Sequence, residues 1–277
     1  MPITVLTVRD VDLLTALDRC PLTADQSVKL SRTFSPPFPG DRLLRRRMTK
    51  LERSGLVRRA TYTALAGRGT PNYYLLTPLG HRMLHGPDAA TPTNRFGRPL
   101  APASHWHTWA LAEAVVHVAV AAHAVGVELT GFCRENTFQL TGGRDAIYPD
   151  CAFQLGYPGG ERFSYFVELD NSTERLTSDK NIESWERKIR VYEAVRNNTP
   201  TRFRVLVFAT RSTERVGHIL LLARKLAANP QRTLFCGASL PEFLKTELAI
   251  TQPVFRDHLG RATAIFPAAR SSGSATG

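Results

Sequence analysis

The stretch 148-YPDCAFQLGYPGGERFSYFVELDNSTE-174 decides how the larger part of the chain is read. Residues 149–155 and 163–169 are strand-like and flank a loop carrying Gly156, Pro158, Gly159 and Gly160, the pattern of a β-hairpin. If the loop is symmetric, Asp150 lies opposite Glu168 on one face, with Cβ atoms roughly 5 Å apart. Cys151, Phe153, Leu155, Val167 and Leu169 point the other way into an apolar layer, and Asp170 shares the face of Glu168. Facing carboxylates repel, or one keeps its proton, unless something lies between them. A divalent cation removes the conflict. Mg²⁺ or Mn²⁺ takes oxygen ligands, and Mg²⁺ needs only a carboxylate or two and keeps several waters. Such a metal acidifies a bound water enough to attack phosphorus. The same spacing also fits a plainer arrangement, with Asp150 and Asp170 as solvated turn and strand-end residues and Glu168 paired to an arginine.

Working outward, residues 181–195 read as a helix whose inner stripe is Ile182, Trp185, Ile189 and Tyr192. Lys188 borders that stripe and should reach back to the sheet. There its ammonium would orient water or stabilise a transition state; an equal reading is a snorkelling surface lysine. Lys180 is a second candidate, and Tyr192 reads as core. A buried strand (203–210), a helix (213–230) and a strand (233–238) follow; a long apolar helix (104–126) and a strand (127–136) precede. From residue 104 the order is helix, strand, hairpin, helix, strand, helix, strand, which implies an α/β sandwich on a mixed sheet. His105 and His107 read as helix-start residues, with phosphate or metal contact as the other reading.

Residues 87–103 hold four prolines and no apolar period, so they read as a linker or extended arm between residues 1–86 and 104–267. Upstream, helices are expected over Thr7–Cys20, over 22–31 and over 41–55, with capping boxes at Thr7/Asp10 and Thr23/Gln26. Leu44, Met48 and Leu51 form the inner arc of the third helix. Arg42, Arg46, Thr49 and Arg53 take the opposite side, with Arg45 and Lys50 flanking. A hairpin over 56–77 follows. Three helices and a hairpin make the order of a winged helix-turn-helix, with a cationic third helix for the major groove and Arg58, Arg59 and Arg68 on the wing for phosphates. Such a unit can also bind protein.

Charge sharpens this reading. Residues 1–86 carry 14 lysines and arginines against 6 acids, and the other 191 residues carry 22 against 18. The whole chain stands at +12 with a pI near 10.1, which favours a polyanionic partner such as double-stranded DNA. Its four cysteines show neither metal-ligand nor redox spacing. No signal peptide is evident, and the most apolar window, 109–129, is interrupted by Glu113, His117, His123 and Gly126, so a cytosolic protein is expected. Residues 268–277 read as a disordered tail. Helix 104–126 would serve a homodimer as readily as a monomer core.

Several runs together, in order, resemble the replication-relaxation family of plasmid and integrative-element proteins. They are LTVRDVDLLTALDRCPLTADQ, RRRMTKLERSGLVRR, YYLLTPLG, HWHTWALAEAVV, YPDCAFQL, VELDNSTER and WERKIRVYEA. The likeness spans roughly residues 3–245. The PD at 149–150, the ELD at 168–170 and Lys188 are similar to the PD-(D/E)XK nuclease core. The resemblance implies a winged helix-turn-helix followed by a restriction-endonuclease-like sandwich that nicks DNA at an origin of transfer or replication, in company with relaxosome or replication proteins. It further implies that Asp150 and Glu168 hold the metal with the Leu169 carbonyl, and that Asp170 joins the catalytic and metal-binding set. Glu135 and Glu113 would be auxiliary acids or structural. Asp170 stands where the nuclease motif has lysine, so either Lys188 supplies the positive charge from the helix or cleavage is weakened or lost.

Overall fold

The computed structural model describes residues 6–63, 65, 69–172, 174–177 and 184–267. Arg68, Lys180, Ile182 and the 268–277 tail lie outside them. The chain opens with α1 (Val8–Arg19), β1 (Leu22–Thr23) and α2 (Ala24–Leu30). Both expected capping boxes form: Thr7 N–H donates to Asp10 Oδ2 at 2.6 Å, and Thr23 and Gln26 exchange bonds of 2.9 and 3.2 Å. Next come α3 (Asp41–Arg53), β2 (Val57–Thr61) and β3 (Asn72–Leu76), and the short strands pair in the order β1-β3-β2. Leu44, Met48 and Leu51 are fully buried under α3.

Sequence periodicity did not foresee α4 (Pro78–His85), which Thr77 caps and Pro78 opens. It sits so close to the hairpin that a Cβ at Gly80 would fall 2.2 Å from the Leu56 carbonyl oxygen. Residues 87–101 form neither helix nor strand, but they are packed. Leu100 N–H donates to the Tyr73 hydroxyl at 2.9 Å, Phe96 lies edge-on to His81, and Gly97 turns at φ 71° against Leu76 and Pro78.

The second part is a mixed α/β layer structure. α5 (His105–Ala124) is buried on nearly every side, as its apolar sequence requires. It packs on α2 and on the sheet. The sheet runs β12-β11-β10-β9-β8-β7-β4, built from β4 (Glu128–Cys133), β7 (Cys151–Gly156), β8 (Arg162–Asp170), β9 (Phe203–Ala209), β10 (Phe235–Ser239), β11 (Phe255–Asp257) and β12 (Ala262–Thr263). β4, β7 and β8 are antiparallel neighbours, while β8, β9 and β10 run parallel. The parallel crossovers are α6 (Trp185–Asn198) and α7 (Thr213–Leu226). A small hairpin, β5 (Leu140–Gly142) and β6 (Asp145–Ile147), packs on α6, and α8 (Leu240–Lys245) packs on α5. One apolar cluster joins α1–α3, α5 and one sheet face; a second fills the space under α6 and α7.

The hairpin register matches the symmetric reading from Cys151↔Val167 to Gly156↔Arg162. One residue earlier it changes. Asp150 N–H donates to the Val167 carbonyl at 3.0 Å, and Leu169 N–H donates to Asp150 Oδ2 at 2.6 Å. Pro149 has no N–H to continue the ladder, so the strand ends there and the carboxylate of Asp150 takes over a ladder position.

Candidate active site

The ends of β7 and β8 gather buried charge. Glu168 and Asp170 are fully buried on β8. Glu168 is enclosed by α6: Lys188 Nζ lies 2.8 Å from its Oε2, and the Tyr192 hydroxyl donates to Oε1 at 2.6 Å. Lys188 also donates to Glu174 Oε1 at 2.8 Å. Burial pushes the Glu168 carboxyl up to about 7; Lys188 opposes the rise and Asp150 adds to it. Burial would depress the Lys188 ammonium, but Glu168, Glu174 and Asp150 outweigh it and raise its pKa, so the cation persists.

Beside this pair stands a second group. His107 Nε2 lies 3.1 Å from Asp150 Oδ1, off the line of a hydrogen bond, while its Nδ1 meets Asn171 Nδ2 at 3.2 Å. One ligand atom each from His107, Glu135 and Asp150 falls within 4.8 Å of the others. Glu168 is not in that set among the described residues. Burial alone would lower the imidazole; its contact with Asp150, aided by Glu135, holds it up at about 9. Asp150 is pushed up by burial, yet His107, Lys188 and the Leu169 N–H together bring it below the ordinary carboxylate value. Glu135 stays exposed to solvent, yet partial desolvation by the surrounding protein and the Asp150 charge raise its carboxyl. A cavity of about 190 Å³ opens here, lined by Glu135 and Asp150 and by Arg19, Arg95, Arg98 and Arg134.

Asp170 is drawn elsewhere. Its Oδ2 accepts from Arg215 Nε at 2.9 Å and Ser172 N–H at 3.0 Å, and its Oδ1 accepts from Trp185 Nε1 at 2.9 Å and Arg215 Nη2 at 3.0 Å. The carboxylate therefore braces α6 and α7 and does not join the metal-ligand geometry of Asp150. Glu113 is engaged by Lys29 of α2 at 3.0 Å. His105 accepts from Thr63 N–H at 2.8 Å and meets the Leu100 carbonyl at 3.2 Å, which makes it a brace between hairpin and helix.

On α3, the side chains of Arg42, Arg45, Arg46, Thr49, Lys50 and Arg53 are exposed, as are Arg58 and Arg59 on β2. Arg45 is tied to Asp41 at 2.7 Å, Arg59 approaches Glu52 at 3.6 Å, and Arg58 donates to the Gly97 carbonyl at 3.2 Å. Arg47 differs from its neighbours: it turns inward and forms a two-pronged bond to buried Asp10. A groove beside α3 is lined by Arg9, Arg46, Lys50 and Arg53.

A sequence profile described as replication-relaxation matches residues 22–205, which take in α2, α3, the hairpins, α5 and the whole acid cluster. The chain belongs to the replication-relaxation family. Membership supports a replication-related role for this replication-relaxation protein. No curated protein and no solved structure matches it. Among the described residues no helix is long and apolar enough to cross a membrane.

Proposed function

We propose that this replication-relaxation protein grips double-stranded DNA through α3 and hydrolyses a phosphodiester at the Asp150 corner with a divalent cation, nicking a mobile element at an origin. The observation that carries this reading is the meeting of two arrangements at one end of β7 and β8. One is the His107–Glu135–Asp150 donor set within 4.8 Å; the other is the buried Lys188–Glu168 pair at 2.8 Å.

The donor set fits a divalent ion. Two carboxylates suit Mg²⁺ or Mn²⁺, and the imidazole moves the preference towards Mn²⁺. Asp150 is well placed to anchor it, because the Leu169 N–H fixes one oxygen and leaves the other turned to His107. The ion, when bound, would supply an acidified water and offset charge on the phosphorane. Lys188, clamped by Glu168 and Glu174, brings a fixed positive charge to the same corner. Glu168 acts here as the anchor of that ammonium. Arg95, Arg98 and Arg134 line the approach and neutralise flanking phosphates. The α1–β1–α2–α3–β2–β3 unit is read as a winged helix, with Arg42, Arg46, Thr49, Lys50 and Arg53 facing the duplex.

The deciding experiment incubates the protein with supercoiled plasmid carrying the host element's origin, with Mg²⁺ or Mn²⁺ and with EDTA. Nicked circles should form with metal only. Asp150→Asn or Glu135→Gln should slow nicking at least about a hundredfold while DNA retention on filters is unchanged. A second reading, a DNA-binding replication protein without cleavage, is favoured by two observations. Both Glu168 oxygens are already engaged, and Asp170 stands in the usual lysine position, held by Arg215. It predicts tight DNA binding and no nicked product with either metal.

A further inference from the structure

A second cluster lies apart from the acid corner, between α1 and α4. His81 and His85 are one turn apart on α4 and face Asp18 near the end of α1. His81 Nδ1 is 3.0 Å from Asp18 Oδ1, and His85 Nε2 is 3.0 Å from Asp18 Oδ2. One ligand atom from each of the three residues lies within 4.8 Å of the others, and the two rings sit 4.4 Å apart. His81 is buried, and its Nε2 lies 3.2 Å from the Ala90 carbonyl. Both nitrogens of this ring therefore face oxygens that only accept. A neutral imidazole has one N–H, so one contact lacks a proton unless the ring is charged or a metal takes the lone pair. A backbone carbonyl on the far nitrogen is the usual outer partner of a metal-bound histidine. It fixes the tautomer with N–H outward and leaves Nδ1 free to ligate.

We propose that Asp18, His81 and His85 form a binding site for a zinc-type dication (Zn²⁺, Co²⁺ or Ni²⁺), with water completing the shell. Two imidazoles and one carboxylate rank these ions above Mg²⁺. Arg134 Nη1 stands 4.0 Å from Asp18 Oδ1 with its guanidinium over Phe96, and its charge opposes the ion. The affinity is therefore lower than that of a closed four-ligand structural site. The ion ties α1 to α4 and, through Ala90, to the segment that leads to α5. The proposal is independent of whether the chain cuts DNA.

The test strips the full-length protein with chelator and titrates it with Co²⁺, reading visible absorption, then displaces the Co²⁺ with Zn²⁺. A saturating site is expected, together with a rise in Tm on adding Zn²⁺. His85→Gln changes a half-exposed side chain and should leave the fold intact. It and Asp18→Asn should each weaken binding at least about tenfold and abolish the Tm rise. The series is also run in a His107→Gln background, which takes a ligand from the cluster at Asp150, and the losses caused by His85→Gln and Asp18→Asn should persist there, which separates the two sites. Equal Co²⁺ binding in the native chain and both variants would mean an adventitious ion only and would overturn the proposal. So would a ¹⁵N spectrum showing His81 as imidazolium at saturating Zn²⁺, or no saturation at millimolar metal.

Discussion

Lys188 lies between two carboxylates with little solvent around it, so its removal leaves Glu168 buried without a counter-charge. Lys188→Met keeps most of the volume and should destabilise the fold by about 3–5 kcal/mol where Glu168 stays ionised. The loss depends on pH with a definite sign. Glu168 is raised from the ordinary 4.5 to about 7, so between those values the folded chain holds a proton that the unfolded chain releases. The site's contribution is fully present below 4.5 and declines as pH rises towards 7. Urea unfolding at pH 5 and pH 8 should therefore show the larger Lys188→Met deficit at pH 8; equal deficits would count against a charged, buried Glu168. At this scale the sequence was partly legible. Loop symmetry gave the hairpin register as far as Cys151↔Val167 but not the turn of Asp150 onto the Leu169 N–H, and the i+3 and i+4 spacing from Trp185 and to Tyr192 put Lys188 over the sheet. Asp170 was not legible, because its partner Arg215 lies 45 residues downstream on another helix and no local pattern links them. His107 and Glu135 could be weighed only as alternatives, since their convergence on Asp150 depends on how α5 meets β4.

The helix α3 is held by its one inward arginine. Asp10 is buried, and Arg47 together with the Thr7 N–H outweighs that burial and holds its pKa below the ordinary carboxylate value. A depressed acid contributes stability above its unfolded value of 3.8 and loses it as pH falls through the folded value. Asp10→Asn should cost about 3 kcal/mol at pH 7, and the gap to the native chain should close in acid below that range. Urea melts at pH 7 and at successively lower pH would show it. The outer face of α3 makes a separate prediction. Arg46→Ala and Arg53→Ala should each lower the slope of log binding constant against log salt by about 1 on duplex DNA, with little change in Tm. Slopes that stay fixed would turn the helix into a plain solvated face. Elements set by local rules were readable: both capping boxes, the α3 inner arc and the hairpin. Elements of short span were not. α4, α8 and the β5–β6 hairpin have too few residues for a period to register, and tertiary contact holds them in place.

Taken whole, the molecule does not divide as its charge does. Gln26 Nε2 donates to the Trp109 carbonyl at 3.1 Å, Lys29 pairs with Glu113, and Tyr73 receives the Leu100 N–H, all within one continuous apolar cluster. On α2, Gln26 and Lys29 read in sequence as ordinary polar helix residues, and their partners lie 83 and 84 positions away, so this seam could not be foreseen. We expect a single cooperative transition. The three tryptophans sit on α5 and α6, so their fluorescence follows the larger part, while far-ultraviolet dichroism follows both. The two midpoints in urea should coincide, and a split would mark two independently folding units. The packed 87–101 segment has a further consequence. With Leu100 bonded to Tyr73 and Gly97 wedged against Leu76, it cannot act as a slack tether that lets α3 wander from the acid corner. The protein would then behave as a measuring rod. On the proposed nicking reading, the cut should fall at a constant count of base pairs from the sequence that α3 contacts.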